Sequence, residues 1–416
     1  MATVYFTSNA STGAGSLVEA IRNAQPSDVI RPDETVFERG STIEIVLAST
    51  LTVAKNLTLD AAPCRVRLVG GGATGLVFVR SGATAEFVGF DFVGGVNSST
   101  YYHGGGATIS ENSNAVFNRC LFAGCKTSRS GGAIFVQAGS NAEVRDSLIV
   151  GCRAASTSGG LCASGVASVS GSTVVGNVDS TGVNDAGGSG KASFFNSIIG
   201  ASTVKTSNEN VGSVVDVASS SIGFVASPPD DLSVETWNAN AWQNWDLRLI
   251  DDASPNPSPY RDSGDVDAAS KYDLDGNFRG RETNGVATCS PGAYETLQAD
   301  LFWIGADATG TEVVLPSFLT SNGWATSRFA IVSGDVAPQV GQKLFVDGAV
   351  VFDDVLTTAN ANGQRFALSL GGGANVRFPS ATVHLFELQT GAASTFTFSN
   401  VRPNEARFGD WSRLAG

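Results

Sequence analysis

The sequence predicts an all-β protein: a parallel β-helix with an N-terminal capping helix, followed by a C-terminal antiparallel β-sandwich-like domain. A short phrase that returns about every 25 to 30 residues predicts a solenoid, because repeats of that period are stable only when stacked. Strand-like segments also follow one another without an intervening helical pattern. Near residue 298 the repeats give way to strands with clean apolar–polar alternation. The five copies of the phrase span residues 87–95, 117–125, 144–152, 169–177 and 194–200.

The composition and net charge of the chain argue against some classes of binding partner. The 416 residues include 49 glycines, only 16% are charged, and the formal net charge is −13. This charge opposes binding to nucleic acid, which requires clustered Lys and Arg. No apolar run reaches the roughly 18 residues of a membrane-spanning helix. We therefore expect no nucleic-acid partner and no membrane span.

The N-terminus predicts a strand and then a short helix. Residues 3–7 are strand-like, and Ser16 with Glu19 forms a capping box ahead of Leu17 and Ile21 at helical spacing. An open solenoid end would expose apolar core and unpaired backbone groups. We assign this helix the role of a lid on the β-helix.

From residue 43 onward, short strands alternate with turns. Parallel strands pair without crossover helices when each turn of the chain stacks on the previous one, and this arrangement is a parallel β-helix. A second landmark, as in Gly131-Gly-Ala-Ile, precedes the phrase and predicts a sharp corner. Ile134 and Val136 are expected to point inward. We expect about ten coils, each rising about 4.8 Å.

The remaining segments are less regular. The tryptophans of residues 237–245 suit a sugar-stacking platform or, as the favoured alternative, a plug at the end of the core. Asp347-Gly348 lies between alternating segments and predicts a two-residue hairpin. We therefore predict two domains, a β-helix over residues 1–297 and an antiparallel β domain over residues 298–416.

Six cysteines are present, without a C-x-x-C motif and with only two histidines to complete a metal site. Cys125 and Cys152 end successive copies of the phrase. Stacking would place them about 4.8 Å apart, within reach of a disulfide. Buried free thiols in a column are the favoured interpretation, and a disulfide is the alternative.

Three motifs resemble those of known bacterial surface proteins. Gly131-Gly-Ala-Ile and the Phe-x-Asn-like phrases resemble the right-handed β-helix repeats of polymorphic outer-membrane proteins. Gly15-Ser-Leu-Val-Glu-Ala-Ile is similar to the opening of many secreted bacterial β-helices. Asp273-Leu-Asp-Gly-Asn through Gly292-Ala-Tyr-Glu resembles the ending of the choice-of-anchor Q family. Over residues 1–297, the resemblance implies a right-handed β-helix, export and surface display, without implying an activity.

Enzymatic chemistry on this fold has specific requirements. Pectin-type hydrolases need facing carboxylates across the scissile bond, and lyases of this shape need a cationic base over calcium held by stacked carboxylates. The adjacent aspartate pairs at residues 230–231, 251–252 and 353–354 lie in loops or outside the repeats. The acids within residues 87–200 are spread over different faces. A polysaccharide lyase, a glycoside hydrolase or a glycan binder is therefore the alternative function.

One loop spaces oxygen ligands like part of a calcium site. Asp273, Asp275 and Asn277 are the candidate metal ligands, but the Glu that completes an EF-hand is missing. An Asx-rich turn is the favoured alternative. No other cofactor is predicted. His103, in a turn, and His384, in a predicted strand, are interpreted as structural residues rather than members of a catalytic triad.

Together these features favour a non-catalytic structural or adhesive protein, extracellular or at the cell surface. A rod with two different ends suits head-to-tail self-assembly into an oligomer or filament, because a heterologous interface that does not close makes a polymer. The strand of residues 3–7 is a candidate for pairing with a sheet edge of a neighbour. Cell-surface glycans are the other candidate partner.

Overall fold

The computed structural model describes residues 2–38, 40–71, 75–98, 103–203, 210–250, 257–265, 269–270, 273–274, 281–283 and 286–294, together with the backbone of eight strands in residues 298–401. The chain divides into two compact units. The first contains residues 1–274 and 289–294, and the second contains residues 275–288 and 295–416. The predicted domain boundary after residue 297 falls outside the described residues.

The first unit is a parallel β-helix built from four sheets, so the predicted fold class is confirmed. Sheet 1 has eight parallel strands in spatial order, Thr3–Phe6, Asp28–Pro32, Leu57–Asp60, Thr84–Val88, Asn114–Asn118, Asn141–Arg145, Val166–Ser170 and Lys191–Phe195. Sheet 2 also has eight parallel strands, Thr42–Leu47, Arg65–Gly70, Phe90–Val93, Leu121–Ala123, Leu148–Val150, Thr173–Val175, Ile198–Ile199 and Val214–Val215.

Two shorter sheets complete each turn of the chain. Sheet 3 contains the parallel strands Val96–Asn97, Lys126–Thr127, Arg153–Ala154 and Val178–Asp179, and Gly182–Val183 pairs antiparallel at its edge. Sheet 4 contains Leu51–Val53, Val77–Val79, Ala107–Ile109, Ile134–Val136, Leu161–Ala163 and Ala186–Gly187. Within a full turn the chain visits sheets 1, 2, 3 and 4 in that order.

The β-helix has about seven turns, fewer than the ten expected from sequence. The difference has a physical cause in the segment that follows residue 214. Instead of adding further coils, this segment packs its apolar residues against the outside of sheet 2. It contains the short helix Ser219–Ile222, the antiparallel strands Phe224–Ala226 and Asp246–Leu249, and the 3-10 helix Ala241–Asn244.

Each of the first four copies of the recurring phrase covers the end of a sheet 1 strand, a corner, the next strand of sheet 2 and a second corner. Its first residue points into the interior of sheet 1, and successive copies lie in register, as for Phe87 and Phe117. Two residues later the backbone turns with positive φ, and each copy from the first to the fourth ends on a second positive-φ corner at a glycine. The phrase therefore specifies both bends that flank sheet 2.

The interior is dry and contains stacked aromatic rings. The rings of Phe87 and Phe117 stack with centroids 5.5 Å apart, and those of Phe92 and Phe122 with centroids 4.3 Å apart. All four side chains are fully buried. Such stacks add specific ring contacts to the burial of apolar area. Ile134 and Val136 are also buried, which confirms the predicted inward alternation.

The capping helix spans Leu17–Asn23 and closes one end of the core. The hydroxyl of Ser16 accepts a hydrogen bond from the Glu19 N–H, and Leu17 and Ile21 are buried in the main core cluster. The Glu19 carboxylate accepts from the Gly15 N–H at 2.6 Å. The predicted cap and lid are therefore confirmed, although Glu19 bonds one residue earlier than in a standard capping box.

The glycine pairs before sheet 4 are required by conformation and by space. Gly104 and Gly131 have φ of 70° and 71°, and Ser158 takes the same role at 54°. A Cβ placed on Gly132 would lie 2.1 Å from the carbonyl oxygen of Gly159 in the next coil. Only glycine allows the corners of successive coils to stack this closely.

The second unit is described as backbone strands. Lys343–Val346 and Ala349–Phe352 pair antiparallel, as the predicted hairpin requires, and the Asp347-Gly348 turn itself lies outside the described residues. Phe378–Phe386 pairs antiparallel with Ala393–Val401. The other strands of this unit are Arg281–Thr283, Val286–Thr288, Gln298–Leu301, Glu312–Val314, Thr358–Asn360 and Gly363–Arg365. The pairing is mixed, since Gln298–Leu301 and Glu312–Val314 pair parallel with their neighbours. The face-to-face packing that defines a β-sandwich depends on the side chains of these strands. Those side chains lie outside the described residues.

Candidate functional site

The outward face of sheet 2 is covered by the chain itself from strand Leu121–Ala123 to strand Val214–Val215. Its outward side chains form a second hydrophobic cluster, separate from the interior, with residues that follow position 214. The cluster comprises Leu121, Ala123, Leu148, Val150, Val175, Ile198, Val214, Ile222, Phe224, Leu247, Leu249, Leu274 and Ala293. Burial of this much apolar surface fixes the returning segment to the coils. From Leu121–Ala123 onward sheet 2 therefore presents the returning segment to solvent, whereas its first strand, Thr42–Leu47, keeps an exposed outward face.

The tryptophans of this segment lie along the side of the coils. Trp242 contacts the corner at Gly151, and Trp245 contacts the corner at Gly176. The indole N–H of Trp237 donates to the carbonyl oxygen of Gly151 at 2.9 Å. The expectation of a plug at the end of the core was wrong, because the rings contact the corners at Gly151 and Gly176 along the side of the coils.

A patch of positive charge lies beside Trp237. We define the basic patch as Lys126, Arg129, Arg153 and Trp237. Lys126 and Arg153 are register partners on successive strands of sheet 3. The guanidinium carbon of Arg153 lies 5.7 Å from the Trp237 ring centroid, in a cation–π contact.

The three cations of the basic patch have no close acidic partner. Within the described residues, none of them forms an ion pair with a carboxylate, although the chain has a net charge of −13. Lys126 and Arg129 are exposed and Arg153 is half-buried. The pKa of the exposed Glu235 is lowered mainly by the Ser233 hydroxyl, with Arg153 as a smaller cause. The patch is therefore a local excess of positive charge.

His103 lies near the basic patch, and the charge of Arg129 acts on its imidazole ring. Its ring stacks on Phe135 with centroids 4.1 Å apart, and its Nδ1 is buried without a hydrogen-bond partner in the described structure. Burial lowers the pKa of His103, and the positive charge of Arg129 lowers it further. His103 is therefore neutral near pH 7 and covers an outward side chain of sheet 4, in agreement with its structural interpretation.

The outward face of sheet 1 carries acidic and basic groups in ordered columns. Glu86, Val116 and Glu143 are successive register partners, so the two glutamates lie two strand spacings apart, about 10 Å between backbones. Arg145 forms a salt bridge with Glu143 at 2.6 Å. The acids of residues 87–200 do lie on different faces, but Glu86, just before the first phrase, shares a column with Glu143.

A buried aspartate on sheet 2 forms salt bridges with two arginines from the preceding strand. Asp91 is 1% exposed and contacts Arg65 at 2.5 Å and Arg67 at 3.2 Å. A buried carboxylate is tolerated when it is paired and hydrogen-bonded. This cluster is a structural tie between coils.

Two further buried aspartates organise the last coils. Asp185 accepts hydrogen bonds from the backbone N–H and side-chain amide of Asn177, both at 2.8 Å, and from the Ala201 N–H at 3.0 Å. Burial nevertheless raises the pKa of Asp185 to about 7. Asp179 accepts from the Ser158 N–H and from the Asn184 amide. These carboxylates saturate backbone donors where the corner pattern becomes irregular.

The sequence-predicted site residues are only partly described. Asp273 is fully buried, whereas its predicted calcium partners Asp275 and Asn277 lie outside the described residues, so this metal site stays a prediction. Asp230 accepts from the N–H and hydroxyl of Ser220, at the start of the Ser219–Ile222 helix. The aspartate pairs at 251–252 and 353–354, and the side chain of His384, also lie outside the described residues.

All six cysteines are buried and free, which confirms the favoured interpretation. Cys125 and Cys152 occupy the same interior position after the corner glycines, and their thiols donate to carbonyl oxygens of Phe92 and Val150. Burial raises the pKa of Cys120 to about 12 and also raises that of Cys152. The thiolate form, which is the reactive one, is suppressed.

No family model, curated protein or solved structure matches this chain. Among the described residues, no group of three or more His, Cys, Asp or Glu side chains is arranged to hold a metal ion. In the same part of the chain, no helix has the length and apolar character required to cross a membrane.

Sequence reasoning missed the basic patch and the glutamate column, although signals for both are present. Lys126 and Arg153 each follow the cysteine that ends a copy of the phrase, and Glu86 and Glu143 each precede the first residue of a copy. Equal positions in a stacked repeat lie in register, so each pair forms a column. The contribution of Trp237 has no such signal, because it comes from outside the repeats.

Proposed function

We propose that this protein is a non-catalytic structural or adhesive scaffold of the extracellular space or cell surface. The resemblance of its repeats and its ending to bacterial surface β-helices supports export and display. The observation that carries the proposal is the use of polar side chains to tie one coil to the next. A stack whose coils are tied by buried hydrogen bonds suits a spacer or scaffold.

The clearest of these ties is a serine ladder. The N–H groups of Cys120, Ser147, Ser172 and Ser197 each donate to the hydroxyl of the serine one coil further on, at 2.9, 3.0, 3.2 and 3.1 Å. All four of these hydroxyls in turn donate to a carbonyl oxygen two residues earlier, as Ser172 does to Ser170 at 2.8 Å. Every step of the ladder satisfies a buried group, and the result is stiffness rather than a reactive site.

Assembly through the ends is the second part of the proposal. Thr3–Phe6 is the terminal strand of sheet 1, and the side chain of Tyr5 on it is 55% exposed. The opposite terminal strand of the same sheet is Lys191–Phe195. Parallel addition of one copy to the next would extend the sheet head to tail. The C-terminal β domain provides further contacts in this proposal.

Two measurements test the scaffold role. The purified protein is incubated with a panel of acidic and neutral polysaccharides, and unsaturated products and reducing ends are measured. We expect neither to increase. Electron microscopy of the full chain and of a variant lacking residues 2–8 then tests assembly. Ordered polymers that disappear in the deletion variant support the edge-strand mechanism, and unchanged polymers contradict it.

A polysaccharide-degrading enzyme on the same β-helix is the second candidate, favoured by the column of Glu86 and Glu143 on sheet 1. Two carboxylates on one face are what inverting hydrolases require, at separations of about 6.5 to 9.5 Å. Arg145 contacts Glu143 at 2.6 Å and fixes the position of this carboxylate on the sheet. Polysaccharide cleavage that is lost in Glu86→Gln but retained in Asp231→Asn would establish this candidate in place of the scaffold.

A further inference from the structure

We propose that the basic patch of Lys126, Arg129, Arg153 and Trp237 binds an extended anionic glycan that carries carboxylates, such as a uronate polymer. This inference rests on the proposed surface role, since it names the class of partner that the scaffold would hold. The cations of the patch lie on sheet 3 and the loop that follows it, and Trp237 of the returning segment borders them at the Gly151 corner.

The spacing of the cations is set by the stacking of coils. Lys126 and Arg153 are register partners on adjacent parallel strands, so their backbones lie about 4.8 Å apart. Arg129 follows Lys126 in the same coil, and its carbonyl oxygen accepts from the Ser156 N–H of the next coil. A linear uronate polymer repeats its carboxylates at a spacing of the same order. Several charge-assisted hydrogen bonds can therefore form along one chain.

Arg153 is prepared for binding before any ligand arrives. Its guanidinium lies over the Trp237 ring, and the indole N–H of Trp237 is fixed on the Gly151 carbonyl oxygen. The arginine side chain thus has less rotational freedom to lose on binding, which is an advantage for affinity. Its guanidinium also retains donors in a planar fork that matches a carboxylate.

The charge balance favours a glycan over a nucleic acid. Three cations without an acidic ion-pair partner in the described structure form a local positive site on a chain of net charge −13. A nucleic acid binds mainly through many phosphate contacts along its length, and three cations on an otherwise acidic chain do not supply them. A uronate segment also carries one charge per residue, but its planar carboxylate accepts two parallel hydrogen bonds from a guanidinium such as that of Arg153.

The test measures binding of an oligogalacturonate probe to the full chain by calorimetry at low ionic strength. A neutral oligosaccharide of the same length serves as the ligand control. We expect the galacturonate to bind and the neutral sugar not to bind, with affinity falling as salt is added. We expect Lys126→Gln and Arg153→Gln each to weaken binding about tenfold, as loss of a charge-assisted contact predicts.

A matched variant separates the patch from net charge. Lys191→Gln removes the same charge from an exposed lysine on sheet 1, and binding should stay within about twofold of the wild type. Lys126 is exposed, so its variant retains the fold even if Arg153→Gln disturbs Trp237. The ring signals of His103, near Arg129, should shift when the probe binds to the wild type.

Each outcome of these measurements either supports or overturns the proposed binding of an anionic glycan. Absence of binding at low salt, equal weakening in Lys191→Gln, or unchanged binding in both patch variants would overturn the inference while leaving the scaffold role intact. Equal or tighter binding of single-stranded DNA would overturn the assignment to a glycan. If the bound probe is cleaved, the patch stands and the non-catalytic role is wrong.

Discussion

Gly124 lies directly against the backbone of Ala239, so that a Cβ at Gly124 would be 2.2 Å from the Ala239 carbonyl oxygen. This contact joins a corner of the β-helix to the returning tryptophan segment. Gly94 occupies the same corner one coil earlier with nearly the same φ, 62° against 60°, but a Cβ there meets nothing within 4 Å. The two glycines form a matched pair.

Gly124→Ala should therefore destabilise the protein more than Gly94→Ala. Both variants place a side chain in left-handed backbone, at a cost of about 1 to 2 kcal/mol. Only Gly124→Ala also displaces the tryptophan segment, and we expect a further loss of about 1 to 3 kcal/mol in unfolding free energy. Denaturant unfolding monitored by tryptophan fluorescence measures both. Equal losses would show that the segment adapts freely.

The serine ladder predicts a cost for removing one hydroxyl. Ser172→Ala leaves the buried Ser147 N–H without its acceptor at 3.0 Å, so unfolding free energy should fall by about 1 to 3 kcal/mol. Ser172→Cys should recover part of the loss, because Cys120 occupies this position in an earlier coil. Ser168→Ala, on the outward face of sheet 1, is the control and should change stability by less than about 0.5 kcal/mol.

The raised pKa of Asp185 predicts that the free energy of unfolding depends on pH. Its pKa, raised by burial to about 7, lies above the ordinary value of 3.8 in the unfolded chain. Between these values the folded protein holds a proton that the unfolded chain releases. The stabilisation is full below about pH 4 and is lost as pH rises through about 7, with a magnitude on the order of 4 kcal/mol.

Asp185→Asn removes this titration. The unfolding free energy of the wild type minus that of the variant should therefore decrease as pH rises from about 4 to 8. Chemical denaturation at several pH values measures it. Asp231→Asn changes net charge equally at an exposed position and should leave the pH profile unchanged. A difference that is constant with pH would show that Asp185 titrates in its ordinary range.

The buried thiols predict an unreactive native protein. Because all six cysteines are buried and burial raises the pKa of Cys120 and Cys162 to about 12, iodoacetamide at pH 8 should label none of them in the folded state. Full labelling is expected in denaturant, as measured by intact-protein mass. Fewer than six labels under denaturing, non-reducing conditions would instead reveal a disulfide, with Cys125 and Cys152 as the first pair to examine.

The repeat made the β-helix predictable, because a stacked repeat places equal positions in register. The phrase that begins at Phe87 or Phe117 encodes an inward residue, a left-handed corner, a short strand and a glycine corner, and all of these are local properties. The same logic would have found Lys126 beside Arg153 and Glu86 aligned with Glu143. The coil number was overestimated because residues after 214 have strand-like composition without the phrase.

The sequence alone determined the β-helix, its capping helix and its column of buried thiols, since each follows from short-range spacing and from the rule that apolar positions alternate inward. Tertiary structure decided that Trp237, Trp242 and Trp245 lie along the side of the coils and that Trp237 holds Arg153. Those contacts join residues that are distant in the sequence, as Trp237 and Gly151, 86 positions apart, show. They depend on which face of the stack is left open for the chain to return over, and local periodicity carries no information about that choice.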